Sequence, residues 1–190
     1  MSARLILSLI PDVTCILVCA AAVVWDTRER RIPNKLTFPA LLLGLAMSFG
    51  FGTIGQTIYH GVVRGFVPSF IGALLLFVAF LTFYRVKGIG MGDVKLMAAV
   101  GAFLRWPLAL WTLAFVLFAG SVIAFIYAVR TGKVSAVFRN MLQGVTRILH
   151  RQAPSSPMTL HHMPYAAAIL VGVMVSVAFR YAPLISDWFE

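Results

Sequence analysis

Lys87-Gly88-Ile89-Gly90-Met91-Gly92-Asp93-Val94-Lys95-Leu96 sets three glycines at alternate positions directly before an aspartate, with an apolar segment starting directly after it. Glycine at such positions permits a positive φ and lets another stretch of chain approach closely. An isolated aspartate at a loop–helix junction reads as an N-cap, a role worth about 1 kcal/mol. An N-cap does not need three alternating glycines.

Outward from this stretch the chain is a series of apolar segments. Leu5–Val24, Leu36–Phe51 and Phe66–Tyr84 precede it, Val94–Leu104 begins within it, and Leu108–Val129 and Pro164–Tyr181 follow. A membrane-crossing helix needs about 20 apolar residues. The second and fourth segments are short, and Val94–Leu104 is expected to be tilted or shielded by its neighbours. Composition agrees: 61% of the 190 residues are hydrophobic and 12% charged, and the mean hydropathy is +0.92. Soluble domains run at about 45–50% apolar and 25% charged. A soluble domain, a disordered chain and a disulfide scaffold are therefore excluded. The expectation is an all-α polytopic membrane protein of about six transmembrane helices, folded as one membrane domain over residues 1–190.

The net charge of +10 comes from 16 basic and 6 acidic residues. On a soluble protein it would suggest nucleic acid. Here the basic residues sit between the apolar segments, so no nucleic-acid partner is expected. With six spans and both termini outside, twelve basic residues fall in inner loops. The outer side holds Arg4, Arg64, Arg105 and Arg180. The positive-inside rule then gives a multi-pass protein of the cytoplasmic (inner) membrane with external termini. The longest inner loop, residues 130–163, contains Val134–Leu149, whose apolar residues recur at helical spacing with Arg139 and Arg147 between them. That pattern predicts a basic amphipathic helix against membrane lipid.

Only Asp26, Glu29 and Asp93 among the six acids are internal. Asp26 opens Asp26-Thr27-Arg28-Glu29-Arg30-Arg31-Ile32-Pro33-Asn34 at the inner end of the first segment. Alone, it reads as an interfacial carboxylate paired with Arg28, Arg30 or Arg31. The predicted topology puts it on the same side as Asp93. Two carboxylates at one membrane depth are the material of an aspartic protease dyad, in which burial and like-charge repulsion leave the pair sharing one proton. The ionised member takes a proton from water and the protonated member polarises the scissile carbonyl. Acids at membrane depth are costly, and a functional role is the default reading.

Gly90-Met91-Gly92-Asp93 resembles the GxGD motif of the type IV prepilin peptidases. Asp26 followed by Arg30-Arg31-Ile32-Pro33-Asn34 resembles the segment carrying their first catalytic aspartate, and Met163-Pro164-Tyr165-Ala166-Ala167-Ala168 the start of their last helix. The likeness runs over about residues 10–180. It implies a cofactor-free hydrolase of pilus biogenesis and protein secretion. This endopeptidase would cut the leader from prepilins at the cytoplasmic membrane face, with Asp26 and Asp93 as the catalytic pair. Gly90 and Gly92 would shape the loop, and Lys95, Pro164 and Tyr165 would be supporting positions. Bifunctional relatives also N-methylate the new N-terminus, and many carry an added segment with paired CxxC metal sites. This chain has only Cys15 and Cys19. The expected likeness is therefore to the short form of tight-adherence (Flp) pilus systems, and the methyltransferase activity of the bifunctional relatives is not carried over to this chain. The archaeal preflagellin peptidases share the GxGD logic and stay open as an alternative. A small ion-coupled transporter using the two aspartates as ligands, or a non-catalytic assembly subunit, are the readings from other classes.

Other residues have plainer readings. Cys15 and Cys19 are small buried hydrophobes, since no His or Cys stands near at zinc-site spacing. Glu29 pairs within its own loop, and His161-His162 is a solvated loop pair without metal. Pro33-Asn34 is the turn opening the second span. Tyr165 either bonds near the site or belongs to the aromatic belt.

Overall fold

The computed structural model describes residues 3–54, 57–85, 89–130 and 165–186. They form helices, with no strand among them: α1 (Ala3–Glu29), α2 (Asn34–Thr53), α3 (Ile58–His60), a π-helical stretch (Gly61–Phe66), α4 (Val67–Arg85), α5 (Met91–Leu104), α6 (Leu108–Arg130) and α7 (Tyr165–Ser186). The amphipathic segment Val134–Leu149, His161-His162 and Pro164 lie outside the described residues, as do Lys87 and Gly88.

Five helical stretches are long and apolar enough to cross a membrane: Ser8–Glu29, Asn34–Thr53, Ile58–Arg85, Leu108–Ile126 and Tyr165–Ala182. The protein is thus an all-α, multi-pass membrane protein. The third stretch begins well before the Phe66 expected from hydropathy. Tyr59, His60 and Arg64 dilute the apolar signal there, yet the chain runs helically through the π-helical turn into α4. The fourth expected span is α5. Its 14 residues rise about 21 Å, short of the roughly 30 Å hydrocarbon core.

α5 is short because it is enclosed by protein. Eleven of its residues, from Asp93 to Leu104, are buried. A helix apolar on all sides belongs in a core. α5 touches α1, α2, α4, α6 and α7. Its closest approach is to α4, at Gly72 and Gly101. A Cβ on either would run into the other's backbone, so the two helices meet main chain to main chain, as small residues allow in membranes.

The last carbonyls of a helix have no partner within it. In α5 the Ala102 carbonyl accepts hydrogen bonds from the Ser48 hydroxyl of α2 at 3.2 Å and from the Ser69 hydroxyl of α4. On the far side, Thr112 of α6 and Ser176 of α7 join through their hydroxyls at 2.6 Å. Cys15 and Cys19 are buried as free thiols in α1, as expected.

At the end of the bundle holding the start of α1, Asp12 is fully buried. Arg180 of α7 donates through Nη1 to both its carboxylate oxygens, at 3.1 and 3.2 Å, and the Tyr181 hydroxyl donates to Oδ2 at 2.7 Å. This cluster ties the first helix to the last.

Candidate active site

The opposite end is built around the head of α5, outside the five long spans. Gly90 caps the helix with extended backbone, φ −76° and ψ 151°. Asp93 is therefore the third residue of the helix and not the cap. Its carboxylate Oδ2 accepts from the Gly90 N–H at 3.2 Å, and its own N–H donates to the Gly90 carbonyl at 3.1 Å. This is the acidic half of a capping box. Gly90 has no side chain to supply the other half.

Gly92 has a different task. An added Cβ would sit 3.0 Å from Ile32 Cβ and 3.4 Å from the Ile32 backbone nitrogen and oxygen. Glycine at 92 thus lets the α1–α2 connection lie directly on the head of α5. Lys95, one turn on, donates to Asn34 Oδ1 at 2.9 Å and sits 5.8 Å from the centre of the Phe38 ring. The ammonium faces α2, so Lys95 is a brace between the two segments.

The clamp brings in Asp26, half-buried in the last turn of α1. The chain leaves α1 through Arg30, at φ 52°, whose N–H donates to the Asp26 carbonyl at 2.9 Å. This is a left-handed cap of the kind glycine usually supplies. Asp93 is 9% exposed. Burial first, and then the nearby Asp26 carboxylate, push its pKa up from 3.8 to about 7, against the opposing pull of the Gly90 N–H. Tyr165 opens α7 at the same end. Its ring lies beside Gly120 of α6, and the charge of Asp93 reaches it. Asp26, Gly90, Gly92, Asp93, Lys95 and Tyr165 thus share one end of the bundle.

Sequence reading passed over Ile32 and Asn34 as contact residues. The available signal was indirect. A glycine at 92 implies something close by, and the basic residue two positions after Asp93 needs an acceptor on another element.

Such a site can hold one proton between two acids at near-neutral pH, the condition for moving a proton on and off a water or a carbonyl.

Parts of known proteins resemble the chain. It is 29% identical over 103 residues to the prepilin leader peptidase/N-methyltransferase of Myxococcus xanthus (strain DK1622), covering 54% of this chain and 30% of that one. The protein of that name in Escherichia coli (strain K12) is 35% identical over 81 residues, 43% of this chain and 35% of the relative. The one in Dickeya chrysanthemi is 31% identical over 100 residues, 53% and 34% respectively. The chain spans about a third of the length of these curated relatives. No solved structure matches it. The type IV leader peptidase family matches residues 13–129. That stretch holds Asp26, the Ile32–Asn34 clamp and Asp93 and takes in more than half of the chain, which belongs to the type IV leader peptidase family.

Proposed function

We propose that the chain is a membrane aspartic endopeptidase that removes the leader from Flp-type prepilins, with Asp26 and Asp93 as its dyad. The observation that carries this is the electrostatic pairing of Asp93 with Asp26 in a buried site at one end of a membrane bundle. Family membership supplies the reaction class.

Near pH 7 the pair holds a single proton. The ionised carboxylate takes a proton from water as the water oxygen attacks the scissile carbonyl. The protonated carboxyl gives its proton to the carbonyl oxygen. Collapse of the tetrahedral intermediate breaks the C–N bond: the departing amine takes the proton held by the dyad, one hydroxyl of the intermediate returns its proton to the dyad as the carboxyl product forms, and the pair is back at a single proton. No metal or organic cofactor enters these steps. An ion-coupled transporter would place its carboxylates near the midplane of the bundle, whereas these two lie at one end.

The distribution of basic residues supports placing this end at the cytoplasmic face of the inner membrane, with both termini outside. A prepilin whose basic leader stays inside would bring its scissile bond to that depth.

The test is co-expression with a Flp-type prepilin, following leader removal by gel shift and mass spectrometry. Wild type is expected to cleave. Asp26→Asn and Asp93→Asn, present in the membrane at wild-type levels, are expected to leave the precursor intact. A variant that still cleaves at a comparable rate removes its aspartate from the mechanism.

A further inference from the structure

The end of the bundle away from Asp26 and Asp93 carries a second concentration of charge. Arg64 from the π-helical stretch, Arg105 from the α5–α6 connection and Arg180 from α7 line one cavity of about 320 Å³. The rise of α5 puts Arg105 roughly 18 Å along the axis from Asp93. The two sites are separate.

The three guanidiniums are not equivalent. Arg180 is engaged by Asp12. The guanidiniums of Arg64 and Arg105 make no hydrogen bond or ion pair with the described residues. Arg105 feels both the like charge of Arg180 and the opposite charge of Asp12. Among the described residues, one carboxylate, Asp12, acts on Arg180 and Arg105, and Arg64 adds a third positive charge to the cavity. Arg105 is also held half-buried by its backbone. It stands at φ 60°, its N–H donates to the Gly101 carbonyl at 3.0 Å, and the next N–H, of Trp106, donates to the Pro68 carbonyl at 2.9 Å. A non-glycine residue at positive φ is strained, and such strain collects at binding sites. The chain thus pins a second guanidinium beside Arg180, where simple repulsion would drive it outward.

The remaining wall says what kind of anion fits. Trp106, Trp111 and Leu108 line the same cavity. Trp106 and Trp111 are about half exposed, and Trp111 packs on Phe179 of α7 at 5.8 Å between ring centres. Tryptophan at the ends of spanning helices marks headgroup depth. A planar guanidinium pair matches phosphate oxygens. A free phosphate gains nothing from the tryptophan wall, whereas an acyl chain can lie along it.

We propose that this cavity binds an anionic phospholipid, Arg64 and Arg105 donating to its phosphate oxygens and Trp106 and Trp111 packing against the glycerol and the upper acyl chains. The proposal does not depend on the peptidase reading.

The full chain, purified in neutral detergent, would be titrated with phosphatidylglycerol, phosphatidylcholine and inorganic phosphate and read by native mass spectrometry. Phosphatidylglycerol is expected to bind saturably, about five-fold or more tighter than phosphatidylcholine. Arg64→Gln, at an exposed position, should weaken it about five-fold, and Arg64→Gln with Arg105→Gln about 25-fold. Arg64→Lys should retain most of the affinity. If Arg105→Gln fails to fold, the Arg64 pair of variants still tests the site. Equal binding of the two lipids, unchanged affinity in the Arg64 variants, or inorganic phosphate binding as tightly as the lipid would each overturn the proposal. So would binding seen only after Asp187→Asn and Glu190→Gln, which would mean that the chain's own tail fills the cavity.

Discussion

Asp12 and Asp93 are two buried aspartates at opposite ends of the same bundle, and their neighbours differ in kind. Asp12 is 0% exposed and meets a guanidinium on both oxygens and a phenol on one. Asp93 is 9% exposed, accepts from one backbone N–H and feels the charge of a second carboxylate. Burial taxes both charges, and only at Asp12 does the protein set a guanidinium and a phenol against the cost. A buried acid whose lone pairs are satisfied holds helices together. One facing another acid is left with an adjustable proton.

Substitution at the two ends should therefore separate activity from stability. Asp93→Asn is expected to cut prepilin cleavage by at least about 100-fold, the smaller end of what general acid–base groups contribute, with the fold intact. Arg180→Leu removes the ion pair and leaves the Tyr181 hydroxyl as the hydrogen-bond donor to Asp12 among the described residues. Orphaning one member of a buried pair costs about 3–5 kcal/mol, so the melting temperature should fall by roughly 10 °C. Cleavage per folded molecule should hardly change. If Arg180→Leu instead removes activity at unchanged stability, the distinction between the two ends is wrong.

The proton on Asp93 gives a sharper test. With a folded pKa near 7 against an ordinary 3.8, the folded state holds a proton that the unfolded chain has released. That contribution to stability is complete below about pH 3.8 and is lost as the pH rises toward and through 7. Asp93→Asn has nothing to ionise. Its melting temperature relative to wild type should therefore be higher at pH 8 than at pH 5, by a few degrees. A difference that is flat across this range would mean that Asp93 is already ionised at pH 5.

These contrasts also mark where sequence reading works. The helices were legible because each long apolar run reports its own burial in lipid. The Asp93 site was legible because its glycines and aspartate are neighbours in the chain. Asp26 could be joined to it only through topology, by counting spans. The Asp12–Arg180 pair links positions 168 residues apart, and neither residue has a local pattern that names the other. Arg64, Arg105 and Arg180 were legible merely as the basic residues of one face. Their meeting in one cavity depends on how the π-helical stretch, the α5–α6 connection and α7 pack. The early start of the third spanning stretch was hidden for another reason, since a polar turn lowers a window average without ending the helix.

The smallest of the expected effects lies within the Asp93 end itself, between its two glycines. A Cβ on Gly90 would meet Asp93 Oδ2 at 3.3 Å, while one on Gly92 would meet Ile32 Cβ at 3.0 Å with the Ile32 backbone just behind it. The carboxylate can rotate away, and Gly90 already has a φ open to any residue. The Ile32 main chain cannot yield without moving the whole connection that follows Asp26. Gly90→Ala should therefore be nearly silent in stability. Gly92→Ala should cost about 1–2 kcal/mol, as overpacking does, together with a roughly ten-fold loss of cleavage as the two aspartates are pushed apart. Adding Ile32→Ala should not rescue it, because alanine keeps the offending Cβ, whereas Ile32→Gly should recover part of the loss. Rescue by Ile32→Ala would place the strain in the outer side chain of Ile32, and the glycine at 92 would then be a matter of side-chain volume and not of how closely the two segments approach.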